Sequence, residues 1–296
     1  MIKRVIFNNR VFPYLLLLPQ VLVILIFFYG PAVQTFLNSF LLANPFGFGF
    51  AFVWFQNYAS LLASPEYRIS LANTVVFSVG VMALSLVAGL LFATAVNRVI
   101  RGSGAYKTLI ILPYAIAPVL AGVLWLFIFH PTFGVLSFVL RGAGVAWNPK
   151  LDGGQAMTLV IIAASWKQIS YNFVFFLAGL QAIPKAVIEA AAVDGANAFR
   201  RFRYVAFPLL TPTTFFLMVV NVVYAFFDTF GIIHAITEGG PGQATNILVY
   251  KVFADGFVGL NLGSSSAQSA ILMFIVIVLT VVQFRYIEGK VQYEMT

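Results

Sequence analysis

Two groups of polar side chains interrupt long apolar stretches of this sequence, and their residue types are those that bind a polar or charged solute. They are Lys167, Gln168, Tyr171 and Asn172 in one stretch, and Asn221, Tyr224 and Asp228 in another. Residues three or four apart share a helix face, so each group predicts a polar stripe along a helix. A charge facing lipid is costly, and such groups usually face a bundle interior or a wet cavity.

Two interpretations of these groups remain open at the level of sequence. In the functional one, Lys167 offers a cation to an anionic solute, while Asp228, the amides and the tyrosines bind hydroxyls or a cationic group. In the structural one, Lys167 and Asp228 pair with each other or with a partner subunit and hold helices together.

Catalytic and metal-binding patterns are not found. His130 and His234 have no second histidine or carboxylate at ligand spacing and are interpreted as membrane-interface residues. Gly289-Lys290 is not a phosphate-binding loop, because Val291 follows where Ser or Thr is needed. We therefore expect no catalytic residues, no metal site and no cofactor in this chain.

The composition is that of an integral membrane protein. The chain has 296 residues, 61% hydrophobic and 9% charged, whereas soluble domains contain roughly 25% charged residues. Six segments reach the roughly 20 apolar residues that a membrane helix needs. They are about 12–38, 71–97, 108–129, 157–180, 208–232 and 267–286. We expect an all-α protein with a single transmembrane domain over residues 1–296.

The distribution of Lys and Arg predicts the orientation in the membrane. Twelve of these residues fall at the N terminus, after the second segment, in loop 183–207 and at the C terminus, against four on the other side. Because cytoplasmic loops are enriched in Lys and Arg, both termini and loop 183–207 are predicted to be cytoplasmic. This bias also accounts for the net charge of +8 without a nucleic-acid partner. The chain has no cysteine, so it has no disulfides.

The segments themselves are unlike simple anchors. Pro113 and Pro118 favour a kink in the third, tolerated only where protein or water satisfies the freed backbone carbonyls. Small residues in the second segment allow close helix packing. These features predict a compact bundle around a pathway, or close packing alone.

Loop 183–207 has the pattern of two short helices. Lys185 to Val193 is alanine-rich and favours a helix, and Gly195 suits a left-handed helix end. Asn197 can cap a second helix from Ala198 to Ala206. The alternative is an amphipathic helix lying among lipid headgroups.

This loop resembles the cytoplasmic signature of binding-protein-dependent ABC importer permeases. The matching residues are Glu189, Ala190, Ala191, Gly195, Val205, Phe207 and Pro208, with Val and Phe replacing the usual Ile and Leu. The resemblance implies the type I importer permease fold and a coupling helix that docks in a cleft of an ATPase subunit. The residues it assigns to coupling are Glu189, Ala190, Ala191, Asp194, Gly195, Arg200, Arg201 and Pro208.

Other segments are similar to the carbohydrate-uptake branch of that family, and most closely to the first permease subunit of sn-glycerol-3-phosphate importers. They include residues 112–118, 165–173, 224–230, 239–241 and 281–286. The resemblance implies a second homologous permease, an ATPase dimer that binds ATP and Mg, and a periplasmic solute-binding protein. It also implies location in the bacterial inner membrane and import of sn-glycerol-3-phosphate or glycerophosphodiesters such as glycerophosphocholine.

Three alternatives to a glycerol-phosphate importer permease remain. The first is an ABC importer permease for a sugar or oligosaccharide. The second is a self-sufficient secondary transporter, whose coupling would use buried acids such as Asp228. The third is a structural membrane scaffold, which predicts no effect of any solute on ATP hydrolysis by a partner.

Overall fold

The structure is a computed structural model that describes residues 11–43, 49–98 and 102–287, and most of these are helical. The α-helices, in chain order, are α1 Phe12–Ile24, α2 Gly30–Asn38, α3 Gln56–Ala63, α4 Pro65–Asn97, α5 Ser103–Ile111, α6 Pro118–Ile128, α7 Val135–Gly142, α8 Gly153–Ala182, α9 Lys185–Val193, α10 Ala198–Arg201, α11 Phe207–Leu209, α12 Thr211–Val223, α13 Phe230–Ile236, α14 Leu248–Phe253 and α15 Leu262–Val282. Wider or tighter helical turns connect or extend them at Leu25–Tyr29, Leu112–Ala115, Phe202–Ala206, Tyr224–Asp228, Ala254–Val258 and Gln283–Ile287. Of the basic residues used to predict orientation, Lys3, Arg4, Arg10, Arg101 and Lys290 lie outside the described residues.

Five helical runs in the described ranges are long and apolar enough to cross a membrane. They are Phe12–Asn38, Pro65–Asn97, Gly153–Ala182, Thr211–Asp228 and Leu262–Arg285. A sixth crossing results if the bent pair Ser103–Ala115 and Pro118–Ile128 counts as one span. Helices α4 and α8 begin six and four residues earlier than the predicted apolar segments 71–97 and 157–180, because polar caps start them. Ser64 and Asp152 accept hydrogen bonds from the backbone N–H groups of Tyr67 and Gln155.

Chain contacts divide the protein into two compact units. The smaller comprises the described parts of Met1–Ala63 together with Val252–Ile271. Within it, the strands Leu41–Ala43 (β1) and Phe50–Phe52 (β2) form an antiparallel hairpin in which Leu41 pairs with Phe52. The Asn57 amide donates to the carbonyls of Ser39 and Leu41 and fastens α3 to this hairpin.

The larger unit comprises Ser64–Lys251 and the described part of Leu272–Thr296. Its centre is the close pairing of α4 with α8. A Cβ added at Gly89 would lie 2.7 Å from the Cβ of Asn172, so only glycine allows the two backbones this close. Buried side chains from α4, α8 and α12 fill the adjoining core: Ala93, Val96, Phe173, Phe176, Leu177 and Leu217. The small residues of the second segment therefore serve helix packing.

The third predicted span is broken rather than merely kinked. Helices α5 and α6 meet at 105°, and Ile116 and Ala117 between them have extended backbone with ψ of 132° and 142°. Pro118 explains the break, because proline disfavours helical backbone at the preceding residue and cannot donate to the carbonyl four residues earlier.

Candidate functional site

The predicted pair of short helices in loop 183–207 is present and tightly built. We call residues 185–201 the EAA element; it consists of α9, a turn and α10. Gly195 has a φ of +82°, and the N–H groups of Gly195 and Ala196 donate to the carbonyls of Ala192 and Ala191. These two bonds form a Schellman motif, which satisfies carbonyls left over at the end of α9. The prediction of a left-handed Gly195 is confirmed.

The second half of the EAA element is capped as its sequence predicts. The side-chain oxygen of Asn197 accepts from the N–H of Arg200 at 2.9 Å. Arg201 donates to the carbonyl of Ala196 at 3.0 Å and closes the turn against α10. The helical turn Phe202–Ala206 and α11 then continue toward α12, so the second helix runs about as far as predicted.

The outer surface of the EAA element is exposed although much of it is apolar. Val193 is 88% exposed and Phe199 73% exposed. Glu189, Asp194 and Arg200 are also exposed, while Ala191 and Pro208 are half-buried. A cavity of about 460 Å³ lies between this element and the ends of α4 and α8, lined in part by Asn97, Ile183 and Phe202. The element thus presents a firm backbone with an apolar and charged surface.

The polar group on α8 is centred on Lys167, which lies beside the broken span. Its Nζ donates to the carbonyl of Tyr114 at 2.7 Å and lies 5.0 Å from the centre of the Tyr114 ring. In the described residues, no carboxylate lies within 4.0 Å of this Nζ, so the predicted alternative of a direct pair with Asp228 is not formed in this structure.

Aromatic rings extend from Lys167 along the same region. The rings of Tyr114 and Tyr171 lie 5.8 Å apart, and Tyr171 and Phe175 lie 4.7 Å apart. Phe216 of α12 follows at 5.1 Å from Phe175. Tyr171 is half-buried and Tyr114 is 50% exposed. The aromatic faces therefore form a continuous row next to the Lys167 cation.

The remaining polar residues of α8 point inward. Gln168 is 3% exposed, and Asn172 is fully buried. The amides of Asn172 and Asn221 bond to each other in both directions, at 2.9 and 3.3 Å. Ser85 of α4 donates to the same Asn221 oxygen at 2.8 Å. We call Ser85, Asn172 and Asn221 the amide cluster; it joins α4, α8 and α12 through satisfied buried groups.

The stripe predicted on the fifth span is divided in the structure. Tyr224 is buried and donates to the carbonyl of Ala164 at 3.1 Å, and Asn221 belongs to the amide cluster. Asp228 is exposed, at the end of the wide helical turn Tyr224–Asp228. A π-helical turn pairs residue i with i+5 instead of i+4, which shifts the register after Tyr224. The structure therefore brings Lys167 and Tyr171 together at a part-exposed position. Asn221 and Tyr224 are buried and bonded to other helices, whereas the side chain of Asp228 is exposed.

Two residues at this site were missed by the sequence analysis. Tyr114 and Ser170 contribute a carbonyl acceptor and a hydroxyl donor at the break, where Ser170 donates to the carbonyl of Ile110 at 2.6 Å. The signal that points to Tyr114 is Pro118, which follows it by four residues and leaves its carbonyl without a helical donor.

Comparison with a family model identifies the chain. The model of binding-protein-dependent transport system inner membrane components matches residues 85–293. The chain belongs to this family. The matched range includes the EAA element, Lys167 and the amide cluster, and this inner membrane component is accordingly a multi-pass transport permease subunit.

Curated relatives are similar over the whole length of this inner membrane component. It is 58% identical over 291 residues to the sn-glycerol-3-phosphate transport system permease protein UgpA of Brucella abortus biovar 1 (strain 9-941), covering 98% of this chain and 99% of the relative. The protein of the same name from Escherichia coli O6:K15:H31 (strain 536 / UPEC) is 51% identical over 292 residues, 99% of each chain.

Solved structures show the fold. A chain of a bacterial alginate ABC transporter, crystallised with an alginate pentasaccharide-bound periplasmic protein, superimposes with a TM-score of 0.81 at 21% identity. The superposition covers 93% of this inner membrane component and 94% of that chain. The predicted ABC importer permease fold is thereby confirmed.

Proposed function

We propose that this chain is the permease subunit of an ATP-driven importer of sn-glycerol-3-phosphate and of glycerophosphodiesters such as glycerophosphocholine. The observation that supports this most strongly is the 51–58% identity to proteins named for sn-glycerol-3-phosphate transport. The alignments cover 98–99% of this chain, so they span both the broken span and the EAA element.

The arrangement around Lys167 suits such solutes chemically. The lysine cation attracts the phosphate, which accepts charge-assisted hydrogen bonds. The neighbouring aromatic faces of Tyr114, Tyr171 and Phe175 attract a quaternary ammonium group such as choline. Lys167 and Tyr171 are both part-exposed, so a solute can reach them from the face that they share.

In the proposed assembly, this chain pairs with a second homologous permease and receives solute from a periplasmic binding protein. A dimer of ATPase subunits binds ATP and Mg, and the EAA element docks on it through exposed residues such as Val193 and Phe199. ATP-driven closure of that dimer moves the EAA element, and the spans alternate between outward and inward openings. Both termini and the EAA element face the cytoplasm.

The test of function is a solute titration with the reconstituted complex, including its ATPase and binding protein. We expect ATP hydrolysis and uptake to be stimulated by sn-glycerol-3-phosphate and glycerophosphocholine, and not by maltose. Stimulation by the sugar alone would instead support a sugar importer. Uptake by the purified chain without an ATPase would indicate a secondary transporter, and a complex that responds to no solute would indicate a scaffold.

The orientation can be measured directly because the chain has no native cysteine. In membranes that contain the permease without its ATPase, we expect Val193→Cys to react with an impermeant maleimide in inside-out vesicles and to be protected in intact spheroplasts. Leu151→Cys, 82% exposed in the turn before α8, is the matched control and should show the opposite pattern. The same pattern at both positions would refute the proposed orientation.

A further inference from the structure

The break in the third span leaves one backbone carbonyl without a helical donor, and the ammonium group of Lys167 bonds to it. In a continuous helix the N–H of residue 118 would donate to the carbonyl of residue 114. Pro118 has no N–H, so the carbonyl of Tyr114 has no donor from its own helix. Lys167 Nζ donates to that carbonyl at 2.7 Å. A charge-assisted bond of this kind is stronger than one between neutral groups.

A second bond from α8 holds the same arm of the broken span one turn before Tyr114. Ser170 Oγ donates to the carbonyl of Ile110 at 2.6 Å. Lys167 and Ser170 are three residues apart and therefore share a face of α8. Ile110 and Tyr114 are four apart and likewise share a face of the segment that leads to the bend. Two neighbouring side chains of α8 thus hold this segment at two points one turn apart.

The two bonds differ in what can compete with them. The Ser170–Ile110 bond is neutral and part-buried, whereas the bond from Lys167 is exposed. A carbonyl bears only a partial negative charge, so a phosphate oxygen is the stronger acceptor for an ammonium group. An anion that arrives from the exposed side can therefore take Nζ away from Tyr114, while the Ser170 bond stays in place.

We propose that Lys167 is a solute-responsive latch on the broken span: it holds the carbonyl of Tyr114 in the empty transporter, and an anionic group of the solute displaces that carbonyl from Nζ. This inference rests on the proposed function, since it takes a phosphate-bearing solute. Release frees the Tyr114 end of the bend, while Ser170 still anchors Ile110. Solute charge is thereby converted into a change of angle between α5 and α6.

The latch can be tested by measuring a distance across the bend. Leu109 and Leu120 are 66% and 60% exposed on the two arms. Because this chain has no native cysteine, Leu109→Cys and Leu120→Cys are its only positions that take a spin label, and any cysteines of the partner subunits are replaced. The distance distribution is recorded by pulsed electron resonance in the full complex in nanodiscs. Recordings are made without solute, with sn-glycerol-3-phosphate, and with neutral glycerol.

Without solute, we expect Lys167→Met to shift or broaden the distribution, because it removes the Nζ donor while keeping an unbranched stem like that of lysine. The matched control is Lys150→Met, which makes the same change at an exposed position of the turn before α8 and should leave the distribution unchanged. A Lys167→Met distribution identical to wild type would overturn the latch.

With sn-glycerol-3-phosphate, the wild-type distribution should move toward that of Lys167→Met, and glycerol should not move it. A solute-induced shift of equal size in Lys167→Met would overturn the proposal, as would an equal shift with glycerol. If Lys167→Met does not assemble, Lys167→Gln decides. Its neutral amide should keep the resting distribution and abolish the response to the anion, and a retained response would contradict the latch.

Uptake measured with the same variants reconstituted in proteoliposomes separates this proposal from the proposed function. If the wild-type complex transports sn-glycerol-3-phosphate but the angle of the bend does not depend on Lys167, the latch is refuted and the proposed function stands. A wild-type complex that does not transport this solute would refute the function and the displacement step. The solute-free comparison would then still decide whether Lys167 holds the bend.

Discussion

The EAA element and the amide cluster are both polar features of a very apolar chain, and they are built in opposite ways. In the EAA element the backbone groups are satisfied internally, by the Schellman motif at Gly195 and the cap at Asn197, while the side chains of Val193 and Phe199 are exposed. In the amide cluster the side chains of Asn172 and Asn221 are themselves satisfied and fully buried. One feature leaves apolar side chains exposed on a firm backbone, and the other holds three helices together.

This difference shows that polar residues of the same chain can have different roles. Groups satisfied by their own neighbours contribute to stability, since an unpaired buried polar group costs free energy. Groups that are exposed on a rigid backbone are available for recognition. Lys167 lies between these extremes, because it is bonded to a carbonyl and yet part-exposed.

The largest expected effect tests the EAA element through its backbone. Gly195→Val places a β-branched residue at a φ of +82°, a left-handed conformation that costs an L-residue about 1–2 kcal/mol. We expect a nearly complete loss of solute-stimulated ATP hydrolysis in the reconstituted complex, with normal membrane insertion. Gly104→Val, at an open helical position of α5, is the control, and normal coupling in Gly195→Val would argue against a docking role.

The next largest effect is on uptake, and it distinguishes the roles of the two charged residues of the predicted pathway. Lys167→Met should reduce uptake strongly, because Nζ contacts the broken span and faces an accessible side. Asp228→Asn should reduce it less, because Asp228 is exposed at the end of its helical run. Uptake rates of the purified, reconstituted variants measure both. If both variants fold and transport at wild-type rates, the predicted solute site is wrong.

A smaller effect, on stability, tests whether the amide cluster is structural. Asn172→Leu or Asn221→Leu leaves a buried amide without its partner, which costs about 1–3 kcal/mol. The double variant removes both amides, so its cost should be less than the sum of the two. The loss of stability in the two single variants and the double variant is measured by thermal unfolding of the purified permease. Gln181→Leu, at an exposed position of α8, is the control. Additive costs, or a loss of uptake with unchanged stability, would place these amides in the pathway instead.

The smallest expected effect is a difference in stability between two glycine variants at the contact between α4 and α8. Gly89→Ala would bring a Cβ to 2.7 Å from the Cβ of Asn172 and 3.1 Å from the backbone nitrogen of Phe173. Overpacking of this kind costs about 1–3 kcal/mol. Gly80→Ala meets mainly the end of the Ile161 side chain, at 2.8 Å, which can rotate away. The melting temperature should therefore fall more for Gly89→Ala than for Gly80→Ala, and equal shifts would contradict the assigned packing.

Local features of the fold were predictable where one residue type has one physical consequence. The left-handed Gly195, the capping Asn197 and the disturbed span at Pro113 and Pro118 follow from glycine freedom, side-chain capping and the missing N–H of proline. The apolar segments predicted the membrane helices for the same reason, since about 20 apolar residues satisfy the length of a bilayer. The polar caps at Ser64 and Asp152 explain why two of the helices begin before their apolar segments.

The tertiary structure alone decided which polar side chains meet. The sequence placed Asn221, Tyr224 and Asp228 on one stripe, but in the structure Asn221 and Tyr224 are buried and bonded to other helices, whereas Asp228 is exposed. It also could not show that Lys167 bonds to a carbonyl on another helix, 53 residues away along the chain. Helix periodicity is a property of neighbouring residues, whereas such contacts depend on how separate helices pack, and each change of register or crossing angle selects different partners.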